Sequence, residues 1–490
     1  MLQPSNINSY ILKIVLIGFI SIALIPNLSR AESDSLNITD KDITVAIESR
    51  FIIEENVPAN FINVTTENGI VTLSGNVDNL LAKDRAEKIV ESVRGVRAMI
   101  DLIAVEPLIQ PEDEIIKKNV NTALTDDPAA DSYELTIQVD DGTVTLRGMV
   151  ESWQEKQLSE TVTKSVKGVK NIRNEITVNP VTIRSDSEIE AEIIRRLQSD
   201  VWVHEGLIGI IVEKNQVTLT GSVGSLAEKY RAFTDAWVNG VTSVNVEQLE
   251  VEWWARDRML QNPKERVSSN TQKEEAIRHA FSYSPRLHHV NISIQVKQGT
   301  AILTGIVNNV AARHAAEEAA RQTVGIWRVR NLIKVRSTDP ANDEALERRV
   351  QKAFNQHPMI DRYDLIVMAR NGTISIEGYL QSPTEILEAV RTAATVKGVT
   401  KVLNYLEIKS SSMQKSDEEI WEDIRRSIWW DPRLYDQDIT IVVDDGVITL
   451  TGKVPSILEW RRATKIAKEA GAERIRNRLK VIDGPDFLTS

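Results

Sequence analysis

A glycine that returns six times at nearly constant spacing is the feature that most constrains this chain. The six positions are Gly75, Gly148, Gly221, Gly305, Gly378 and Gly452, separated by 73, 73, 84, 73 and 74 residues. Each follows the same local pattern of alternating apolar residues, such as Val71, Leu73 and Val77 around Gly75. Self-similarity at a fixed period is the signature of a repeat architecture. The sequence therefore predicts one small module repeated six times.

The last repeat gives the clearest prediction of the elements within the module. A first helix begins at Ser416 or Asp417 and ends at Pro432. Two alternating strands over 439–443 and 448–454 flank an Asp-Gly turn, followed by a second helix over 457–469 and a third strand over 475–481. The fold class is thus α+β, with six tandem αββαβ modules. In each module, two helices pack on one face of a three-stranded mixed sheet.

The recurring glycine lies inside the second strand of the module, where glycine is unfavourable. Its position indicates either a bulge or the close approach of a helix. A structural role is therefore predicted for all six copies of this glycine.

Polar links of a few residues separate most of the repeats. The predicted boundaries are 38–106, 112–179, 185–251, 273–336, 343–409 and 417–482, with a longer linker over 252–272 that accounts for the 84-residue step. Short links favour contact between neighbouring modules, so we expect a rod or a curved array. Trp327, where the other repeats carry a polar residue, indicates packing between repeats.

The N-terminal 31 residues have the pattern of a secretory signal peptide. Lys13 precedes a short apolar run over 14–25, and Ser29 and Ala31 place small residues before a predicted cleavage site. A retained N-terminal anchor is the alternative, because Arg30 is unusual at such a site. The prediction is an exported protein, either soluble or peripheral to the membrane.

The total charge and the absence of cysteine exclude several classes of function. A net charge of -11 argues against a general nucleic-acid binder, which would carry a basic excess. A chain without cysteine has no disulfide, no zinc thiolate site and no cysteine nucleophile.

Several segments resemble the BON domain, a family named for bacterial osmotic-stress and nodulation proteins. The segments that carry the resemblance are VTLSGNV at 71–77, DDGTVTLRGMVESW at 140–153, KGVKNIRNEITV at 167–178 and DDGVITLTGKV at 444–454. The resemblance implies a non-catalytic, periplasmic or envelope-facing αββαβ module that associates with phospholipid membranes or envelope proteins. It also implies a role in protection against osmotic or envelope stress.

Clusters of tryptophan and arginine are the candidate lipid-binding residues. Near the ends of the first helices of repeats 3 and 6 lie Arg195, Arg196, Trp202, Arg425, Arg426, Trp429, Trp430 and Arg433. Tryptophan rings suit the headgroup boundary of a membrane and guanidinium groups suit lipid phosphates. The alternative is that these side chains pack against the sheet or against the next repeat.

No enzyme signature, cofactor motif or metal site is apparent in the sequence. Repeat 4 holds four histidines, but they fall in a helix, a loop and a second helix rather than at ligand spacing. Two functions therefore remain open. One is a peripheral protein that binds anionic phospholipid. The other is a periplasmic protein-protein interaction scaffold without direct lipid binding. The sequence does not indicate an oligomeric state.

Overall fold

A computed structural model describes ten segments of the chain. They are residues 38–53, 57–130, 134–179, 184–252, 254–256, 269–287, 290–337, 342–409, 415–471 and 474–482. The predicted signal peptide and most of the predicted linker lie outside these segments, as do two of the four histidines of repeat 4, His288 and His289. Residues Asp40–Ser490 form one compact unit, and all contacts described below lie within it.

Each repeat has the order helix, strand, strand, helix, strand. The first helices are Asp40–Ile53, Asp113–Asp126, Asp186–Ser199, Asn270–Ser282, Asp343–Gln356 and Asp417–Trp430, and the second helices are Leu80–Glu91, Trp153–Lys164, Leu226–Ala236, Val310–Arg321, Pro383–Thr395 and Ile457–Glu469. The first strands are Ile62–Glu67, Leu135–Asp140, Ile208–Glu213, Ile292–Lys297, Ile366–Arg370 and Asp438–Asp444, and the second strands are Ile70–Val77, Thr143–Val150, Gln216–Val223, Thr300–Val307, Thr373–Leu380 and Val447–Val454. The predicted α+β fold class is confirmed.

The third strand is continuous in repeats 1, 5 and 6 and divided in repeats 2, 3 and 4. The continuous strands are Ala98–Val105, Lys401–Ile408 and Arg474–Val481. The divided strands are Asn171–Asn174 with Thr177–Val178, Ser243–Asn245 with Leu249–Val251, and Arg328–Asn331 with Lys334–Val335. In every sheet the second strand is central, antiparallel to the first and parallel to the third. Each sheet is therefore mixed, as predicted.

Strand alternation places apolar side chains against the helices and leaves the opposite face, here called the outer face, open. In repeat 6 the inner-face residues Ile448 and Leu450 are fully buried against Ile424 of the first helix and Ala463 of the second. Equivalent cores fill repeats 4 and 5. Because the inner face carries the packing, the outer face is free to vary between repeats.

The recurring glycine allows two strand backbones to approach closely. Gly452 has φ 128°, and a Cβ there would lie 1.9 Å from the carbonyl oxygen of Asp438; Gly75 has φ 116°, and its Cβ would lie 2.0 Å from the carbonyl oxygen of Phe61. Pairing continues through Gly452 without an extra residue, since Gly452 lies opposite Ile439. The expectation of a bulge or an approaching helix is therefore wrong in repeat 6, where the neighbour is the adjacent strand.

An aspartate at the start of the first helix holds the hairpin turn of the same repeat. In repeat 6 the carboxylate of Asp417 accepts the backbone N–H groups of Asp445 and Gly446 at 2.8 and 2.9 Å. Asp40, Asp113 and Asp186 make the same pair of bonds, and Asp343 makes one of them. Repeat 4 has Asn270 at this position. Each carboxylate thus ties helix to hairpin across 28 or 29 residues.

The repeats contact one another in nested pairs as well as along the chain. The backbone N–H groups of Arg94, Lys167 and Val324 donate to the last carbonyl of another repeat's first helix at 2.8 to 2.9 Å. The acceptors are Trp430, Gln356 and Ser199, so the pairs are repeats 1 and 6, 2 and 5, and 3 and 4. Of the two expected arrangements, a rod or a curved array, the rod is therefore wrong, because the first half of the chain folds back against the second.

Candidate functional site: the outer sheet faces

The structure brings two of the predicted lipid-binding residues together across repeats 3 and 6. The Arg433 Nη2 donates to the backbone oxygen of Trp202 at 2.7 Å, and its guanidinium lies 5.4 Å from the centre of the Trp202 ring. The same guanidinium lies 3.4 Å from Glu459. Both side chains are half-buried in a contact between repeats.

The tryptophans at the end of the first helix of repeat 6 lie against repeat 1. The Arg94 guanidinium lies 5.4 Å from the Trp429 ring and 3.7 Å from the Tyr435 ring, while its backbone bonds to Trp430. One turn earlier, Arg425 lies over Trp421. On the same helix Arg426 lies 4.0 Å from Glu422.

The arginines of repeat 3 divide between a contact and the solvent. Arg196 pairs with Asp235 at 2.9 Å and lies 4.3 Å from the Tyr283 ring of repeat 4. Arg195 is exposed and pairs with Glu192. Seven of the eight predicted residues are thus partly buried, five of them in contacts between repeats, and lipid binding by this set stays a prediction. Trp327 also packs between repeats, against the core of repeat 6.

The outer face of repeat 4 combines exposed cations with exposed aliphatic side chains. We define it by Lys297, Ile306, Arg328, Arg330, Leu332 and Lys334. The register places Lys297 and Arg328 on either side of Thr300, and Lys334 beside Ile306. Ile306 and Leu332 are each 50% exposed. The structure records no ion pair between these cations and any other residue that it describes.

Repeat 4 also differs from the whole chain in its net charge. Between residues 269 and 337 it holds ten lysines and arginines and four acids, a net charge of +6 in a chain of net charge -11. Positive charge is therefore concentrated on repeat 4, and the exposed outer face of that repeat carries a large part of this charge.

The outer face of repeat 5 combines tyrosine with carboxylate at one end and carries the exposed cations Arg370 and Lys401 at the other. We define it by Ile366, Met368, Glu377, Tyr379, Tyr405 and Glu407. Glu377 lies opposite Tyr405 and Tyr379 opposite Glu407, so acids and rings alternate across two strands. All of these residues except Met368 contribute to the lining of a shallow groove of about 770 Å³. Tyr379 and Tyr405 are 61% and 56% exposed, so both rings are accessible from the groove.

The outer face of repeat 6 carries an unbroken row of cations. We define it by Lys453, Arg474, Arg476, Arg478 and Lys480. The last four occupy alternate positions of the third strand, which is an edge strand, and all are exposed. Lys480 lies beside Lys453, which in turn lies opposite Asp438. Within the described part of the chain, no ion pair is recorded for the four strand cations.

A cluster of acids lies where the second helices of repeats 1, 2 and 3 meet. Burial, together with the carboxylates of Asp84 and Asp101, raises the pKa of Glu87 to about 7. Burial and then Glu87 raise the pKa of Glu91 to about 7 as well. Lys164 of repeat 2 pairs with Asp84 at 3.1 Å. Charge on these carboxylates therefore changes near neutral pH at a junction between repeats.

Neither a metal-binding cluster nor a membrane-spanning helix is found among the residues that the structure describes. Among the residues that it describes, no group of three or more histidines, cysteines or acids is placed to hold a metal ion. His279, for example, bonds to Glu192 at 3.0 Å. No helix within the described segments is long and apolar enough to span a membrane.

The basic faces have a sequence signal that the whole-chain average conceals. Cations occupy every second position from Arg474 to Lys480 in RIRNRLKV at 474–481, and the same alternation in RVRNLIKVR at 328–336 is interrupted only by Leu332. Because strand side chains alternate between faces, this period predicts a row of cations on one side of a sheet.

Comparisons with known proteins agree with the fold and the repeat number. The family model of the BON domain matches six times, at residues 39–107, 112–180, 185–252, 269–337, 342–410 and 416–483. Osmotically-inducible protein Y of Escherichia coli (strain K12) is 27% identical over 143 residues, which cover 28% of this chain and 71% of that protein. An uncharacterized protein in the gshII 5' region of Anaplasma centrale is 26% identical over 130 residues, covering 26% of this chain and 86% of that protein.

Two solved structures of CdsD, a structural protein of the type III secretion system of Chlamydia trachomatis, also match. They are 14% and 16% identical, cover 42% and 46% of this chain and 96% and 98% of theirs, and have TM-scores of 0.12. These scores carry no argument about arrangement. The six matches of the family model span most of the sequence, and the chain belongs to the BON domain family.

Proposed function

We propose that this chain is a non-catalytic, periplasmic multi-BON protein that associates with anionic phospholipid surfaces and supports the envelope under osmotic stress. The relation to osmotic stress is supported by family membership and by the similarity to osmotically-inducible protein Y. The periplasmic location is supported by the signal-like N-terminal pattern.

The outer face of repeat 4 is the observation that carries the proposal. Each lysine or arginine near an anionic membrane contributes about 1 kcal/mol. Ile306 and Leu332 lie among the cations and supply apolar surface for the headgroup boundary. Acids on distant repeats oppose this attraction weakly, since fields are screened beyond about 8 Å at physiological salt.

The tryptophans and arginines of repeat 6 are a second candidate contact with the membrane. Trp429 and Arg433 would have to leave their contacts with repeats 1 and 3 to enter a headgroup layer. Binding by this cluster would therefore cost contacts between repeats, whereas the repeat 4 face is already exposed.

Vesicle co-sedimentation of the full chain without residues 1–31 tests the proposal. Vesicles with and without phosphatidylglycerol are compared for the wild type and for Arg328→Glu with Arg330→Glu. We expect that variant to lose binding at least about tenfold, since two charges are reversed. The matched control, Arg476→Glu with Arg478→Glu, changes the net charge equally and should retain most of the binding. Unchanged binding by the repeat 4 variant would refute the assignment.

Cell fractionation and N-terminal sequencing test the compartment. We expect the mature chain to begin at Glu32 and to fractionate with the periplasm or as a peripheral membrane protein. An intact Met1, on a protein released only by detergent, would favour the retained anchor.

The scaffold function remains the alternative, and the outer face of repeat 5 favours it. Exposed tyrosines beside carboxylates suit a protein partner better than an anionic membrane, which would repel Glu377 and Glu407.

A further inference from the structure

The groove on the outer face of repeat 5 combines aromatic rings with both hydrogen-bond donors and acceptors. We propose that this groove binds an uncharged oligosaccharide, whose pyranose rings stack on Tyr379 and Tyr405. The site involves neither the repeat 4 face nor lipid, so it stands independently of the function proposed above.

Three tyrosines supply the aromatic surface of the groove. Tyr379 and Tyr405 lie diagonally on the second and third strands, and both are exposed. Tyr363 also lines the groove and donates its hydroxyl to the buried Glu385 at 2.9 Å. The ring of Tyr363 is therefore held in place by this hydrogen bond, while the other two rings are open to a ligand.

Stacking on open tyrosine rings suits a pyranose. The face of an aromatic ring carries partial negative charge, and the C–H groups on one side of a sugar ring carry partial positive charge. A sugar that packs on such a ring keeps its hydroxyl groups at its edge, where they reach polar side chains beside the ring. The groove therefore needs polar groups next to its tyrosines.

The polar side chains that line the groove supply both kinds of hydrogen-bonding group. Asp364, Glu377 and Glu407 accept, Lys409 donates, and the amide of Gln381 does both. Each hydroxyl of a sugar donates one hydrogen bond and accepts others. A polyhydroxylated ligand can therefore bond to donors and acceptors alike without bringing a charge of its own.

The charges on this face disfavour a strongly charged ligand. Arg370 and Lys401 lie exposed on either side of Thr373, and with Lys409 they equal in number the three carboxylates of the groove. The carboxylates repel an anionic polymer, and the cations repel a basic peptide. A ligand without net charge meets neither repulsion.

The position of Glu377 disfavours an apolar protein surface, which is the competing occupant. In the register of the sheet Glu377 lies between Ile366 and Tyr405, among the apolar side chains of the face. The structure records no ion pair between Glu377 and any other residue that it describes. A protein surface packed on the rings would take this carboxylate out of water without a partner, which is costly. Sugar hydroxyls instead donate to it.

The groove has room for a short oligosaccharide. Its volume of about 770 Å³ lies within the range of about 300–1,000 Å³ that is usual for small-molecule sites. Because the groove is shallow, a bound sugar keeps much of its contact with water. We therefore expect weak binding, with a Kd roughly in the millimolar range.

Saturation-transfer NMR on the full chain without residues 1–31 tests the proposal. The probes are chitohexaose, cellohexaose and maltohexaose, which are uncharged and differ in linkage and in acetamido groups. We expect at least one of them to bind, with similar strength at about 0.01 M and about 1 M salt, because a neutral ligand has no charge to screen. Absence of binding by all three, or loss of binding at the higher salt, would overturn the proposal.

Variants of the rings and of the carboxylates assign the site. Tyr379→Ala with Tyr405→Ala should weaken binding at least about tenfold, whereas Tyr379→Phe with Tyr405→Phe keeps the rings and should stay within about threefold of the wild type. Glu377→Gln with Glu407→Gln keeps two acceptor oxygens and should also stay within about threefold.

The matched control is Arg328→Glu with Arg330→Glu on repeat 4, which should bind the sugar like the wild type. Unchanged binding by the double alanine variant, or loss of binding in the control alone, would place the sugar elsewhere and overturn the proposal. Hexalysine is the probe for the competing occupant. Binding of hexalysine that is lost in the double glutamine variant, with no binding of any oligosaccharide, would assign the groove to a basic protein segment instead.

Discussion

Replacing Gly452 by alanine should destabilise repeat 6 more than the same change at Gly471. Both glycines have a positive φ, 128° and 105°, in regions that L-residues rarely adopt. They differ in their surroundings. A Cβ at Gly452 would lie 1.9 Å from the Asp438 carbonyl oxygen, whereas the nearest neighbour at Gly471 is the end of Lys415 at 4.0 Å. Comparing the two alanine substitutions therefore separates the cost of backbone strain, which both share, from the cost of steric overlap, which only Gly452→Ala has.

The expected magnitudes follow from these distances. Backbone strain costs about 1–3 kcal/mol at either position. At Gly452 the strand must also shift by more than an ångström to restore an ordinary contact, and overpacking of this kind adds about 1–3 kcal/mol. We expect a total near 4 kcal/mol for Gly452→Ala and about half of that for Gly471→Ala.

Amide hydrogen exchange read by mass spectrometry measures opening within each repeat. Protection in repeat 6 should fall roughly a thousandfold for Gly452→Ala, since each 1.4 kcal/mol is a factor of ten. Repeat 5 should keep its protection, because stability in a repeat array is mostly local. The loop of repeat 1 at Arg94 should also lose protection, because the backbone N–H of Arg94 donates to the carbonyl oxygen of Trp430 in repeat 6. Equal effects of the two substitutions would refute the steric argument, and loss of protection in all six repeats would refute modular stability.

Three further outcomes are expected. Asp113→Ala should destabilise repeat 2 by about 1–3 kcal/mol in the same exchange measurement, because two turn N–H groups lose their acceptor, whereas Asn270→Ala in repeat 4 should cost little. Glu87 and Glu91 have a raised pKa in the folded chain, so their stabilising contribution is complete below pH 4.5 and is lost as the pH rises through about 7. Changing both to glutamine should flatten the dependence of the thermal midpoint on pH between those values, and an unchanged slope would contradict the assignment. Trp430→Ala should reduce vesicle binding with the fold intact if the repeat 6 cluster contacts lipid, and equal binding would remove that candidate.

The module was predictable from the sequence because its determinants are local and repeated. The second helix of repeat 6 was predicted over 457–469 and is Ile457–Glu469. The hairpin turns follow from residues that tolerate positive φ, including Asn215 where the other repeats have glycine; its φ is 64°. Six aligned copies of one pattern cancel the ambiguity that a single short strand would leave.

The arrangement of the repeats was not predictable in the same way. Arg94 and Trp430 are more than three hundred residues apart, and no period in the sequence links them. Whether Trp429 faces a membrane, its own sheet or another repeat depends on that arrangement, so the sequence left both alternatives open. The rows of cations on repeats 4 and 6 could have been predicted from the sequence. They were missed because the net charge of the whole chain also counts the acids of the other repeats.

The six repeats share one fold but differ in their outer faces, which argues that the outer faces determine what each repeat binds. The inner face of every repeat must pack two helices, which restricts it to apolar residues such as Ile448 and Leu450. The outer face has no such restriction, and adjacent repeats use it differently. It is basic and aliphatic in repeat 4, mixed in charge with two exposed tyrosines in repeat 5, and uniformly basic along the third strand of repeat 6. Random surface drift would mix charges of both signs on each face, which is the usual state of a soluble surface. Rows of cations on repeats 4 and 6, in a chain whose net charge is -11, are instead what selective contacts with an anionic partner require.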